Sequence, residues 1–148
     1  MSADVNHNLD GDTYASLEAT GATYTKGSAQ DRAIRGLIAR TVAPYLRPTM
    51  RGLQLGYAEG VDTSLFAPQV RHLDIVEGNR AFVEAGRADS LPNATFHHAL
   101  FEALLPTVKN QYDAVFAAYV LEHVREPITL LRLARERLTG TGRAWSFL

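Results

Sequence analysis

The sequence predicts an α/β protein built on a doubly wound, mostly parallel sheet. Three observations carry that prediction. From about residue 28 onward, short apolar runs alternate with segments of helical period. The first apolar run, Gly52-Leu53-Gln54-Leu55, ends in the loop Gly56-Tyr57-Ala58-Glu59-Gly60 and feeds a helix. The run from Tyr112 to Tyr119 is apolar on both faces, as a strand inside a parallel sheet is. Right-handed crossovers in such units put the ligand crevice at the carboxyl ends of the strands.

Totals narrow the function classes. With 148 residues the chain is long enough for one domain with a real core. Its formal charge of -1 argues against nucleic acid as a main partner. It has no cysteine, which excludes disulfides and thiolate metal sites. No apolar run approaches the ~20 residues of a membrane span. The N-terminus, Met1-Ser2-Ala3-Asp4-Val5-Asn6, has neither a basic region nor an apolar core, so a cytoplasmic location is expected.

In chain order, residues 1–27 are polar and turn-rich and read as a flexible arm, either frayed or folded over a ligand site. The remainder, 28–148, reads as the folded domain. Ser28 is placed to cap a helix, with Asp31 in its first turn. Ile34, Leu37, Ile38, Val42 and Leu46 recur at helical spacing and predict its inward stripe. Pro44 and Pro48 end it. After the first strand, Val61 to Phe66 is a short helix stopped at Pro68. The second strand runs from Val70 to Val76 and ends on Glu77-Gly78-Asn79, where Asn79 caps the next helix. Ala94 to His98 is a third strand, and Leu100 to Pro106 a looser segment. Tyr112 to Tyr119 is the fourth strand. Pro127 starts a long helix at its first turn, and Gly140 is placed to end it. Arg143 to Leu148 opens one more strand. The predicted order is 3-2-1-4 with a stub of a fifth.

Two elements converge on the crevice. The loop Gly56 to Gly60 lets a ligand approach the backbone. Glu77 lies 21 residues past Gly56, at the tip of the second strand. An acidic residue there is placed to accept hydrogen bonds from both ribose hydroxyls of a nucleoside. The histidines show no metal-ligand spacing, so no metal site is expected. His97 and His98 fall on opposite sides of one strand and cannot both bind one ion.

Four segments in register then resemble the successive motifs of class I S-adenosylmethionine-dependent methyltransferases. They are Gly52 to Gly60, Val76 to Asn79, Tyr112 to Val115 with Val120-Leu121-Glu122-His123-Val124, and Leu138 to Arg143. The resemblance runs from about residue 30 to 143 and implies a Rossmann-like domain, shortened at its C-terminus. It implies methyl transfer from S-adenosylmethionine to an oxygen or nitrogen of a small molecule. Leu121-Glu122-His123 before a Pro-initiated helix is especially like methyltransferases of bacterial secondary metabolism. By resemblance, the backbone of Gly56, Tyr57, Ala58 and Gly60 faces the methionine part and ribose of the cofactor. Glu77 holds the ribose diol, and Gly78 and Asn79 border the adenine, with Leu100 and Phe101 nearby. Ala117 and Ala118 lie beside the sulfonium. Glu122 and His123 face the substrate, with His123 as general base.

Three positions depart from the family pattern. Gln54 stands where an acidic residue is usual, Ala58 where a glycine is usual, and Leu100 where an aspartate is common. These departures raise an alternative: a non-catalytic, pseudo-methyltransferase partner that stabilises or completes a full-length enzyme, which itself runs methylation, cyclisation or elimination. An apolar fourth strand next to an open edge, with Trp145, Phe147 and Leu148 beside it, adds the expectation of a homomeric or heteromeric protein partner covering that edge. A nicotinamide-binding module fits less well, because Leu121-Glu122-His123 and Gly140-Thr141-Gly142 have no place in it.

Overall fold

The computed structural model describes residues 15–19 and 27–147. The predicted arm, 1–27, therefore falls almost wholly outside the described residues. Apart from Gly27, what is described of it, residues 15–19, is helical and lies on Gly78 to Arg80: Asn79 Nδ2 donates to Leu17 O at 2.8 Å, and the Arg80 amide to Glu18 Oε1 at 2.9 Å.

Helix α1 (Ala29–Val42) starts where its cap predicts: Ser28 Oγ accepts from the Asp31 amide at 3.1 Å. Its buried face differs from the expected stripe. Arg35, Ile38, Ala39 and Val42 face inward, while Ile34 and Leu37 are exposed. The face is turned because a charged residue, Arg35, finds its partners inside. Strand β1 (Arg51–Leu55) leads through the glycine loop into α2 (Val61–Phe66). Strand β2 (His72–Glu77), α3 (Arg80–Ala88) and β3 (Ala94–His98) follow, with Asn79 Oδ1 accepting from the Phe82 amide at 3.2 Å as the α3 cap. The segment expected to be loose holds a short helix, α4 (Phe101–Leu104). Strand β4 (Tyr112–Ala118), α5 (Pro127–Glu136) and β5 (Leu138–Phe147) complete the chain.

All neighbouring strands are parallel, in the order β3-β2-β1-β4-β5. Leu73, Ile75, Phe96 and Phe116 pack on one face with Ile38, Val42, Phe66 and Val83. Leu53, Leu55, Val76 and Val115 pack on the other with Leu105, Leu130 and Ala134. The alternation of β2 follows from its pleat, since successive side chains point to opposite faces.

The fifth strand is whole rather than a stub. Ala114 to Ala118 pair one to one with Arg143 to Phe147, so β4 is interior and β5 is the edge. Between Tyr112–Leu138 and Ala114–Arg143 the register slips, and the extra residues on β5 arch out at Thr139 to Gly142. Gly142 fits this bulge, where a Cβ would lie 2.7 Å from Tyr112 O. Gly140 does not end α5, which stops at Glu136. Trp145 and Phe147 turn onto the core rather than lying bare. Trp145 stacks on Phe116 at 5.7 Å between ring centres, and Phe116 on Phe66 at 4.2 Å. Each such pair adds about 0.5–1.5 kcal/mol beyond area burial. Leu148 lies outside the described residues.

Gly86 shows how tightly α3 sits on the sheet. A Cβ at this position would lie 2.2 Å from Phe96 Cε1 and 2.5 Å from its Cζ. Gly86→Ala in an open helix would gain up to ~1 kcal/mol of helix propensity. Here the clash with a buried ring wins, and a net loss of about 1–3 kcal/mol is expected, read as a lower urea midpoint at unchanged slope.

Among the described residues, no helix is long and apolar enough to cross a membrane.

Candidate functional site

The tips of β1, β2, β3 and β4 meet at one end of the sheet, since Leu55 pairs with Val76 and Glu77 with His98. The loop after β1 needs three left-handed residues to make its turn: Gly56 at φ 81°, Ala58 at 48° and Gly60 at 75°. Two are glycines. Ala58 adopts this conformation with a Cβ, at a cost of about 1 kcal/mol. Ala58→Gly removes that strain but loosens the unfolded chain, so a net gain of about 0.5 kcal/mol is expected in thermal melts.

Glu77 joins the loop to the second tip. Its side chain is buried, and both oxygens accept backbone N–H groups. Oε2 takes those of Tyr57 at 2.8 Å and Ala58 at 3.3 Å, and Oε1 takes that of Asn79 at 2.7 Å. Gln54, in the place of the expected carboxylate, braces the loop from below. Its Nε2 donates to Gly56 O at 2.8 Å and its Oε1 accepts from Thr63 Oγ1 at 3.1 Å.

Tyr57 offers only its backbone to the crevice. Its ring is buried under Gly60 and meets Phe96 edge-on at 5.1 Å, and its hydroxyl bonds the Asp89 carboxylate. Burial, together with that carboxylate, pushes the Tyr57 hydroxyl pKa up. Gly78 is covered by Leu17 on one side and Leu100 on the other. Asn79 spends Oδ1 on the α3 cap and Nδ2 on Leu17. Leu100 and Phe101 start α4 beyond the β3 tip. Ala117 is buried and Ala118 half-buried at the end of β4. Glu122 and His123 sit in the short 3-10 turn Leu121–His123 after that strand, both exposed to solvent. The loop, Glu77 and Asn79 are thus brought into direct contact, while Glu122 and His123 stand on the rim.

Sequence reasoning missed Arg35 and Asp62. Arg35 Nη1 bonds Asp62 Oδ2, its Nε donates to Asp31 Oδ2 at 3.0 Å, and its guanidinium lies 4.7 Å over the Tyr119 ring. Asp62 Oδ1 is buried with no hydrogen-bond partner among the described residues. Burial pushes the Asp62 pKa up, partly offset by Arg35. The available signal was a charge at i, i+3 and i+7 spacing with Ile38 and Val42, and an aspartate directly after the glycine loop.

Elsewhere, His97 Nε2 is 3.0 Å from Asp74 Oδ1 and His98 Nε2 is 3.0 Å from Gly78 O. Among the described residues, no group of three or more acidic or histidine side chains is arranged to hold a metal ion. A cavity of about 350 Å³ at the end of α3 and the start of β3 lies away from the strand tips, lined by Arg87, Leu91 and Thr95 among others. The crevice beside Arg35, Tyr57, Ala58, Glu59 and Val61 is too narrow to hold a water molecule.

A family model described as a methyltransferase domain matches residues 27–144. This chain belongs to that family. The methyltransferase domain resembles solved structures throughout its sheet. The DhpI–SAM–HEP complex aligns with a TM-score of 0.74 at 20% identity, covering 95% of this chain and 66% of that one. The N-methyltransferase NodS from Bradyrhizobium japonicum, in complex with S-adenosyl-L-homocysteine, aligns with a TM-score of 0.73 at 19% identity, covering 90% and 71%. The YcgJ protein of Bacillus subtilis aligns with a TM-score of 0.66 at 22% identity, covering 76% and 48%. The chain therefore spans between 48% and 71% of the length of these relatives. At these identities the likeness establishes the class I S-adenosylmethionine-dependent methyltransferase fold. Comparison with curated proteins returned no match.

Proposed function

We propose that the domain binds S-adenosylmethionine at the strand tips and transfers its methyl group to an oxygen or nitrogen of a small molecule of secondary metabolism. The observation that supports this best is the buried Glu77 carboxylate at the β2 tip, directly against the glycine loop of a methyltransferase-family chain. The residues suit the cofactor at this end. A carboxylate offers about four acceptor sites, and backbone amides take three, the weakest at 3.3 Å from Ala58. A ribose diol can use the fourth and replace that weakest contact. Gly78 and Asn79 flank the place for the adenine, with Leu100 and Phe101 beyond. Ala117 and Ala118 keep the β4 tip free of bulky side chains.

S-adenosylmethionine supplies an electrophilic methyl group on a sulfonium. The chain's own contribution is alignment, which by itself can supply ~7–11 kcal/mol of barrier lowering in well-oriented reactions. His123, exposed on the β4 rim, is placed to take the proton from the acceptor atom, with Glu122 beside it. Isothermal titration with S-adenosylhomocysteine tests the first step. Heat of binding is expected, and none at millimolar ligand removes methyl transfer from consideration.

One observation favours a second reading. Glu77 is already largely satisfied by its own loop, and the crevice beside it is small. On this reading the domain is a non-catalytic partner that completes a full-length methyltransferase-like enzyme. The partner would pair along β5, whose outer edge carries no strand among the described residues. Light scattering separates the cases, because a monodisperse monomer that also leaves such an enzyme's activity unchanged counts against the partner role.

A further inference from the structure

We infer that the cavity between the end of α3 and the start of β3 is a second ligand site, which takes a small organic carboxylate with an apolar body. It lies apart from the strand tips and does not depend on the cofactor reading.

The cavity holds about 350 Å³, at the lower end of the range for small-molecule sites. Leu91, Ala94 and the buried Phe96 give it an apolar wall, while Arg87, Ser90 and Thr95 supply its polar groups. Small-molecule sites have this make-up, an apolar lining with a few polar groups that fix orientation. Among the described residues, no acidic side chain lines it.

Arg87 decides the charge of the ligand. Its Nη2 donates to Phe96 O at 3.1 Å, which holds the guanidinium at the cavity on the outer edge of the sheet. That bond uses one of five N–H donors. Among the described residues Arg87 makes no ion pair. Asp89, two residues on, is turned to the Tyr57 hydroxyl. An anchored guanidinium with spare donors and no counter-charge suits a carboxylate, which its planar fork meets with two parallel bonds.

The outer strand adds a donor. Asn93 O accepts from the Leu73 amide and the Ala99 amide donates to Glu77 O, so the odd-numbered residues of this segment bond β2. Phe96 therefore turns its backbone outward, where Arg87 meets the carbonyl, and its N–H opens on the same edge. Ser90 supplies a hydroxyl from the left-handed residue that closes α3, at φ 51°, a position that glycine usually takes. That hydroxyl is held only by a long bond to Ala88 O at 3.3 Å. A bare inorganic anion would use these donors but leave the Leu91, Ala94 and Phe96 wall in water, so the ligand carries an apolar body.

Proton–nitrogen correlation NMR on the full chain tests this at neutral pH with three probes: hydrocinnamate, its neutral amide and inorganic phosphate. Hydrocinnamate is expected to give saturating shifts at the Arg87 Nε–H and the Ser90, Leu91 and Phe96 amides, with a millimolar or tighter Kd. The neutral amide lacks the charge and phosphate lacks the apolar body, so each is expected to bind about 10-fold more weakly or worse. Arg87→Gln is expected to weaken hydrocinnamate about 10-fold and to leave the neutral amide unchanged. No saturation by hydrocinnamate at about 20 mM overturns the inference. Equal affinity for hydrocinnamate and its amide overturns it by removing the charge contact, and equal affinity for hydrocinnamate and phosphate by removing the apolar one. Shifts confined to Gly56–Gly60 put the probe at the strand tips and overturn it too. The wild-type series needs no variant to fold, and its outcome is independent of whether S-adenosylhomocysteine binds.

Discussion

Asp74→Ala is expected to lower the stability of the domain by about 3–5 kcal/mol, enough to unfold a chain of ordinary stability near physiological temperature. Asp74 is a charged residue in the middle of β2, 3% exposed. Four side chains from other strand positions meet it. Arg51 donates to Oδ2 through Nε at 3.1 Å and Nη2 at 2.7 Å, and the Tyr112 hydroxyl donates to the same oxygen at 3.0 Å. His97 Nε2 lies 3.0 Å from Oδ1, with His72 Nε2 at 3.5 Å. Removing the carboxylate leaves a buried hydroxyl and a half-buried guanidinium without their acceptor. Tyr112→Phe removes one donor only and is expected to cost about 1 kcal/mol. Urea denaturation checks both, and an Asp74→Ala midpoint equal to the wild type would contradict the account.

The same residue sets an acid limit. Burial pushes the Asp74 pKa up, but hydrogen bonds from His97 and Arg51, the Arg51 charge and Tyr112 outweigh it and hold the value at about 2, against 3.8 ordinarily. The folded pKa is the lower one, so the unfolded chain binds the proton more readily. The stabilisation is therefore whole above pH 3.8 and is lost as pH falls from there through 2. It is worth about 2 kcal/mol. Acid unfolding followed by circular dichroism should show it, and the Asp74→Asn variant should lack that part of the pH dependence.

Glu77→Ala carries the second large effect, on stability and binding together. The buried carboxylate accepts three backbone N–H groups, two from the glycine loop and one from the turn after β2. Hydrogen bonds to a charged acceptor contribute about 1.5–3 kcal/mol each, and a buried N–H left unmet costs about 1–3 kcal/mol. The 3.3 Å contact from Ala58 is the weakest. A loss of about 3–4 kcal/mol follows, with the loop released from β2. Affinity for S-adenosylhomocysteine should fall at least 100-fold, since the diol acceptor and the loop shape go together. Glu77→Gln keeps the side-chain length but has one carbonyl acceptor, so it should keep most of the fold and still bind at least 10-fold more weakly. Full affinity in Glu77→Gln would leave Glu77 a structural clasp and move the ribose contact elsewhere.

Much of this was legible in the sequence. The strands around the crevice, the caps at Ser28 and Asn79 and the start of α5 at Pro127 all follow from local pattern. They do so because turn chemistry, capping and strand alternation are written in neighbouring residues. The buried face of α1 was not legible. Helical period gave a stripe through Ile34 and Leu37, yet these are exposed and Arg35 is buried. Burying an arginine becomes favourable only when Asp31, Asp62 and Tyr119 surround it, and Asp62 stands 27 residues away. The fifth strand was foreshortened for a similar reason. Gly140 looks like a helix stop, but residues 139–142 form an arch that lets Leu138 and Arg143 share one strand.

The sequence by itself determined the fold class, the family motifs and the loop that turns at Gly56 and Gly60. Only the tertiary structure decided what the charged residues do. It set Asp74 among four side chains, closed Glu77 onto the loop and left Asp62 Oδ1 without a donor. Period and spacing specify which residues share a face or a turn. Whether a buried charge is satisfied depends on groups brought from distant positions in the chain, and that follows from packing alone.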